Sequence, residues 1–285
     1  MKKGKIAVQM MMLKNKVTEL GAYETMRKLS ELGYHAVEVS QIPMTEENVA
    51  GLKKASNDFN IKIAALSAAL DPMIPGASGE TLTKDFEKIV NDCKTLDCNF
   101  LRIGMMPLNL MGSKENIMDF ITRAEEMAHR LAEYDIKLYY HTHHLEFQKF
   151  DGVYLLDIIK NNTTKLGFEL DVHWIQRAGE NPVEYIKQYA GRMDLLHLKD
   201  YRIGAMNPDF DFNDTSQYSK IFSDRIQFAE IGEGNLDMKA IIESGLQSGS
   251  VYFIVEQDDT YGRDAFDCLE TSAQNLRRLG YADWF

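Results

Sequence analysis

Cysteine is scarce in this chain: 285 residues hold three, Cys93, Cys98 and Cys268, an odd number without metal-ligand spacing. That scarcity excludes a disulfide framework and a cysteine-based metal site, and free thiols point to a reducing compartment, so the cytoplasm is the expected location. Long apolar runs are missing as well. No segment could cross a bilayer, and Met1 to Leu13, interrupted by Gln9 and followed by Lys14 and Lys16, reads as a first strand rather than a leader. Basic charge is in deficit, with 32 Lys and Arg against 43 Asp and Glu and a formal net charge of −11. Such a surface repels phosphate backbones and anionic headgroups, so neither nucleic acid nor a membrane is expected as a partner. Linkers, low-complexity runs and charge blocks are absent too, and 45% hydrophobic with 26% charged residues is an ordinary globular composition. One domain over residues 1–285 is the expectation.

What the chain does have is alternation. Short runs rich in Val, Ile and Leu are followed by longer amphipathic stretches, the pattern of repeated βα units around a parallel sheet. Eight strands are expected: Lys5 to Met10, His35 to Val39, Ile61 to Leu66, Asn99 to Ile103, Ile136 to His141, Leu166 to Asp171, Met193 to Leu198 and Val251 to Glu256. The predicted fold class is therefore α/β, a (β/α)₈ TIM barrel. Helix ends agree. Leu20, Tyr23, Met26, Leu29 and Leu32 recur at helical spacing over Thr18 to Leu32, and Gly33 closes that helix. Asn181 caps a helix with Pro182 at its first position, ended by Gly191. Ser113 before Lys114 to Tyr134, and Arg263 to Leu279 before Gly280, follow the same rules. Between Asp200 and Leu236 the period fails, and the polar, aromatic stretch Asn207 to Asp214 reads as a long loop, either a lid over the site or an inert insertion.

Five of the seven histidines fall between residues 141 and 197, all at expected strand ends. Strand parity aligns His141 with His143, Asp171 with Glu169 and His173, His197 with Lys199, and Glu256 with Asp258. Unpaired, these groups would be costly at the mouth of a dry barrel. One divalent metal ion held by His141, Asp171, His197 and Glu256 removes that cost, and imidazole with carboxylate suits Mn, Co, Zn, Ni or Fe rather than Ca. Arg102 is the expected partner of a buried Glu169. Glu38 ends the second strand and could reach the mouth. Backbone N–H groups of Ile231-Gly232-Glu233-Gly234 offer either a phosphate cradle or a plain turn.

Tyr140-His141-Thr142-His143 with Glu146-Phe147, Phe168-Glu169-Leu170-Asp171-Val172-His173-Trp174, Gly191-Arg192, His197-Leu198-Lys199-Asp200, Gly232-Glu233-Gly234 and Glu256 together resemble the xylose-isomerase-like family of sugar phosphate isomerases and epimerases. That family also includes inosose dehydratase and apurinic endonucleases. The resemblance spans nearly the whole chain and implies a TIM barrel with one metal held from strands five to eight. Epimerases of the family carry a glutamate where His141 stands, so this chain looks more like the inosose dehydratase branch, and a two-glutamate epimerisation does not carry over.

The expected activity is a metal-dependent sugar isomerase or epimerase that abstracts a proton next to a carbonyl through an enediolate. Glu256, Lys199 and His143 are the candidate catalytic groups, with Lys199 expected as a neutral amine beside the cation. His173, Trp174, Glu146 and Arg102 are the candidate substrate-binding residues, and the partner is a small carbohydrate, with homo-oligomerisation left open. Two alternatives remain: a dehydratase or lyase of a keto-inositol or keto-sugar at the same site, and a non-catalytic carbohydrate- or metal-binding barrel.

Overall fold

Parallel pairing closes eight strands into a ring in which sequence neighbours are spatial neighbours: β1 (Lys5–Gln9), β2 (Ala36–Val39), β3 (Lys62–Ser67), β4 (Phe100–Ile103), β5 (Lys137–His141), β8 (Gly167–Asp171), β9 (Leu195–Leu198) and β12 (Tyr252–Val255), the last returning to β1. This computed structural model describes residues 3–74, 79–206, 213–214, 216, 218, 222 and 225–285. All eight expected strands are present, displaced at their ends by one or two residues, and the ring is a TIM barrel. The remaining strands form two small antiparallel ribbons, β6 (Lys149–Phe150) with β7 (Val153–Tyr154) and β10 (Asp200–Ile203) with β11 (Ile226–Ala229).

Helices α1 (Lys14–Glu31), α2 (Glu46–Phe59), α3 (Phe86–Thr95), α4 (Lys114–Ala132), α5 (Leu155–Asn161), α6 (Val172–Arg177), α7 (Pro182–Lys187), α8 (Met238–Ser248) and α9 (Ala265–Leu276) wrap the ring. Their apolar stripes and the outward strand residues make the main core, from Ile6 and Val8 through Phe168 and Leu198 to Leu276. Capping follows the residues expected for it. Ser113 accepts the Asn116 N–H, and Asn181 accepts the Val183 N–H at 2.9 Å with Pro182 at the first helical position. The helix expected from Thr18 begins earlier, at Lys14, and is broken at Gly21, whose φ of 82° only a residue without Cβ adopts cheaply.

The stretch after β9 is not an unstructured loop. Asp200 pairs with Ala229 and Ile203 with Ile226, so a two-stranded ribbon rises from the barrel mouth. The lid reading of Asn207 to Asp214 falls almost entirely outside the described residues. No helix among the described residues is long and apolar enough to cross a membrane.

Candidate metal centre

Barrel closure staggers the strands, and register decides the level of each side chain. His197 lies opposite Asp171 on β8 and level with Ile254 on β12, which puts Glu256 one inward-facing residue higher. His141 lies opposite Glu169, one inward-facing residue below Asp171. Even so, His141, Asp171, His197 and Glu256 each offer a donor atom within 4.8 Å of the others, all four buried. His197 Nδ1 is 2.7 Å from Glu256 Oε2 and 4.0 Å from Asp171 Oδ2. Asp171 divides its work: Oδ1 caps α6 by accepting the N–H groups of His173 and Trp174, at 2.9 and 3.2 Å. Its Oδ2 is buried without a hydrogen-bond partner, although Lys199 Nζ is 3.1 Å away.

Lys199 is buried among three carboxylates, 3.1 Å from Asp171, 2.8 Å from Glu256 and 2.9 Å from Asp258. Burial alone would lower its pKa, but those carboxylates outweigh it and hold the group above its ordinary value. These three carboxylates favour the ammonium, the opposite of the effect a nearby cation would have, and sequence adjacency to Asp200 did not foresee them. Asp200 itself points elsewhere. Its carboxylate accepts the N–H groups of Tyr201, Gly232, Gly234 and Leu236, so the amides of Gly232 and Gly234 are filled from within the chain, as the plain-turn alternative has it.

Beneath the centre lies a second polar layer. Arg102 Nε contacts Glu38 at 2.7 Å and Glu169 at 3.1 Å, as expected for Glu169, while Gln9 donates to Glu38 at 2.8 Å. Burial pushes the Glu38 carboxyl up, but Arg102 and His197 outweigh it and bring it to about 2. Burial and the neighbouring Glu38 push Glu169 up to about 8, and burial pushes Asp171 up to about 6. For His197, burial is overcome by Glu169, Glu256 and Glu38, which raise it well above its usual value. Burial and the adjacent His197 hold His141 well below its usual value. Four buried carboxylates, Glu38, Glu169, Asp171 and Glu256, thus share two fixed cations, Arg102 and Lys199, with Asp258 adding a fifth from the solvent side. The unpartnered Asp171 oxygen, the surplus negative charge and the imidazole–carboxylate donor set fit a divalent transition metal held by His141, Asp171, His197 and Glu256.

A cavity of 420 Å³ opens above these residues, lined by His141, His143, Lys199, Glu256 and Asp258 on one side and by Met11, Met73 and Met105 with Ser40 and Ser67 on the other. His143 stands on His141, ring centroids 4.7 Å apart, with Nδ1 buried and unpartnered, and burial lowers it to about 3. The other expected substrate residues are placed differently. Arg102 reaches the cavity floor with its guanidinium already engaged. His173 is not on a strand: it begins the short helix α6, so strand parity with Asp171 does not apply, and its ring packs among Trp174, Tyr201 and Phe228. Trp174 spreads over His144 and lies 5.0 Å from Lys199 Nζ. Glu146 closes the turn after β5, accepting from Tyr140 Oη at 2.7 Å and His143 N at 2.8 Å, and burial pushes it up to about 7. None of these three lines the cavity. Sequence reasoning missed the methionine wall, for which strand and helix periodicity carry no signal, and gave Glu38 too little weight. An acid inside the apolar run Ala36 to Val39 was the signal available there.

A family model described as xylose isomerase-like TIM barrel matches residues 26–280. Among solved structures, a sugar phosphate isomerase/epimerase from Parabacteroides distasonis superposes with a TM-score of 0.75 at 19% identity, covering 98% of this chain and 99% of that one. The probable 3-DHS dehydratase of petrobactin synthesis from Bacillus anthracis gives 0.69 at 14%, covering 96% and 98%. An L-ribulose 3-epimerase gives 0.69 at 12%, covering 99% and 95%. At these identities the likeness shows the fold. No curated protein sequence matches the chain.

Proposed function

The chain belongs to the xylose isomerase-like TIM-barrel family, and on that premise we propose that it is a divalent-metal-dependent isomerase or epimerase of a sugar or sugar derivative. The observation that carries the reading is the convergence of His141, Asp171, His197 and Glu256 beneath a cavity of 420 Å³. Four donors leave coordination positions for two substrate oxygens. When bound, the metal polarises a carbonyl and offsets the negative charge that develops as the neighbouring C–H is ionised.

The protein's own groups divide the remaining work. His143, kept neutral by burial and lining the cavity, is the group able to accept the carbon-bound proton. Glu256 is the second candidate, through whichever oxygen is not engaged as a ligand. Lys199, held charged by Asp171, Glu256 and Asp258, donates a hydrogen bond to a substrate oxygen rather than acting as a base. Ser40 and Ser67 offer hydroxyls to a polyol, and the three methionines exclude water from the opposite side.

One observation favours a second reading at the same site. A neutral imidazole and an ammonium face one cavity, and elimination of water needs such a pair, a base for the C–H and an acid for the departing hydroxyl. A dehydratase or lyase of a keto-inositol or keto-sugar is thus the alternative, and a carbohydrate- or metal-binding barrel without turnover is the third. Purified protein is incubated with a panel of keto-sugars and keto-inositols in deuterated water, with added Mn²⁺ or Co²⁺ and with a chelator. Metal-dependent deuterium incorporation with retained mass supports the isomerase, and loss of water supports the lyase. Bound metal with neither outcome on any substrate leaves the binding protein.

A further inference from the structure

Barrel interiors of this fold are filled by layers of apolar side chains, yet here Gln9, Glu38, Arg102 and Glu169 form a buried polar layer below the metal centre. Replacing such a buried ionic group by apolar residues is commonly neutral or stabilising, so the layer is not explained by stability. Its contacts offer a different reason. Glu169 Oε2 is 3.1 Å from His141 Nδ1, and its other oxygen, Oε1, is 3.3 Å from His197 Nε2. Glu38 Oε1 lies 3.3 Å from the same His197 nitrogen. The opposite nitrogen of His197, Nδ1, faces Glu256 and Asp171.

We propose that Glu169 is a positioning residue that gives the two imidazole ligands opposite tautomers, a role resting on the metal-centre reading above. His141 carries its proton on Nδ1 and offers Nε2 to the metal; His197 carries its proton on Nε2 and offers Nδ1. A ligating histidine usually donates its second N–H to a carboxylate, which sets its tautomer, its orientation and its basicity. Here one carboxylate lies within 3.3 Å of both rings, one oxygen to each, neither completing an aligned hydrogen bond, and Glu38 Oε1, which does bond His197 Nε2, shares the His197 side. Arg102 completes the arrangement. Its Nε lies between Glu38 and Glu169, and a terminal nitrogen donates to Ser40 Oγ at 2.9 Å, which fixes the guanidinium and holds both acids below the ligand set.

The test uses full-length protein loaded with diamagnetic Zn²⁺ and labelled with ¹⁵N-histidine. Long-range ¹H–¹⁵N correlation spectra distinguish Nδ1–H from Nε2–H imidazoles, and one buried ligand of each kind is expected. E169Q is expected to weaken Zn²⁺ affinity roughly 10- to 100-fold in competition with a chromophoric chelator. It is also expected to shift the d–d bands of the Co²⁺-loaded protein, while the thermal midpoint of the metal-free protein holds or rises. A merely structural Glu169 would lower that midpoint and leave the Co²⁺ spectrum alone. Like tautomers in the wild type, or E169Q with unchanged affinity and spectrum, overturn the proposal and leave the metal centre standing. Failure of the wild type to take up Zn²⁺ overturns both.

Discussion

Removing the Asp200 carboxylate should loosen the mouth of the barrel by a calculable amount. Asp200 is fully buried and receives four backbone N–H groups: Tyr201 and Leu236 on Oδ1 at 2.9 and 3.2 Å, Gly232 and Gly234 on Oδ2 at 3.0 and 3.2 Å. Those contacts tie the base of the ribbon to the turn that enters α8. Asp200→Ala leaves the four donors without an acceptor, and each buried unmet donor costs about 1 to 3 kcal/mol before water or relaxation restores some of it. Because the four act as one network and part of the turn is solvent-accessible, the expected net loss is about 4 kcal/mol, less than the pairwise sum. Unfolding entropy near 2.1 cal/mol/K per residue makes about 0.6 kcal/mol/K for a chain of this length, so the midpoint should fall by about 7 °C in differential scanning calorimetry. The same logic predicts rescue. The vacated ring of N–H groups is an anion site, so tens of millimolar acetate or phosphate should recover part of the lost midpoint in Asp200→Ala and leave the wild type unmoved, its site being filled by its own carboxylate. A drop below about 2 °C, or equal anion responses in both proteins, would refute the account.

Asp171 separates metal binding from capping: Asp171→Asn keeps an Oδ1 able to cap α6, whereas Asp171→Ala loses the cap and about 1 kcal/mol in urea unfolding of the metal-free protein. Both should lose Mn²⁺ affinity in calorimetric titration, and wild-type affinity in Asp171→Asn would remove Asp171 from the ligand set. Glu125 on α4 accepts the N–H groups of Thr164, Lys165 and Leu166 at the entry to β8; burial pushes its carboxyl up, but those donors outweigh it and bring it to about 2. A carboxyl held below its unfolded value binds fewer protons folded than unfolded, so its stabilisation is complete above pH of about 4.5 and is lost as pH falls toward 2. Discounted for partial exposure, the contribution is about 1 kcal/mol, and the stability gap between wild type and Glu125→Gln should narrow from pH 6 to pH 3. A constant gap would mean that Glu125 acts through packing instead of charge.

Strand-by-strand chemistry made most of this protein legible before any coordinates. Alternating βα units point to a helix-covered parallel sheet because each strand must bury both faces, and a count of eight such units points to the closed ring. The parity of β5, β8, β9 and β12 likewise brings His141, Asp171, His197 and Glu256 to one end, since parity is a local property of each strand. Parity fails where the chain leaves the strand, which is why His173, already in α6, was aligned with Asp171 on paper and packs against Tyr201 and Phe228 in space. What local pattern cannot hold is the level of one strand against the next and the partner of each buried charge. Closure sets the stagger that puts His141 beside Glu169 and Glu256 above His197. Long-range packing sends Asp200 into the glycine turn, surrounds Lys199 with three carboxylates and threads Arg102 between Glu38 and Glu169. The residue types that can bind a metal were written in the chain, whereas their protonation and orientation depend on neighbours up to 159 residues away, and only the folded barrel brings those within hydrogen-bond distance.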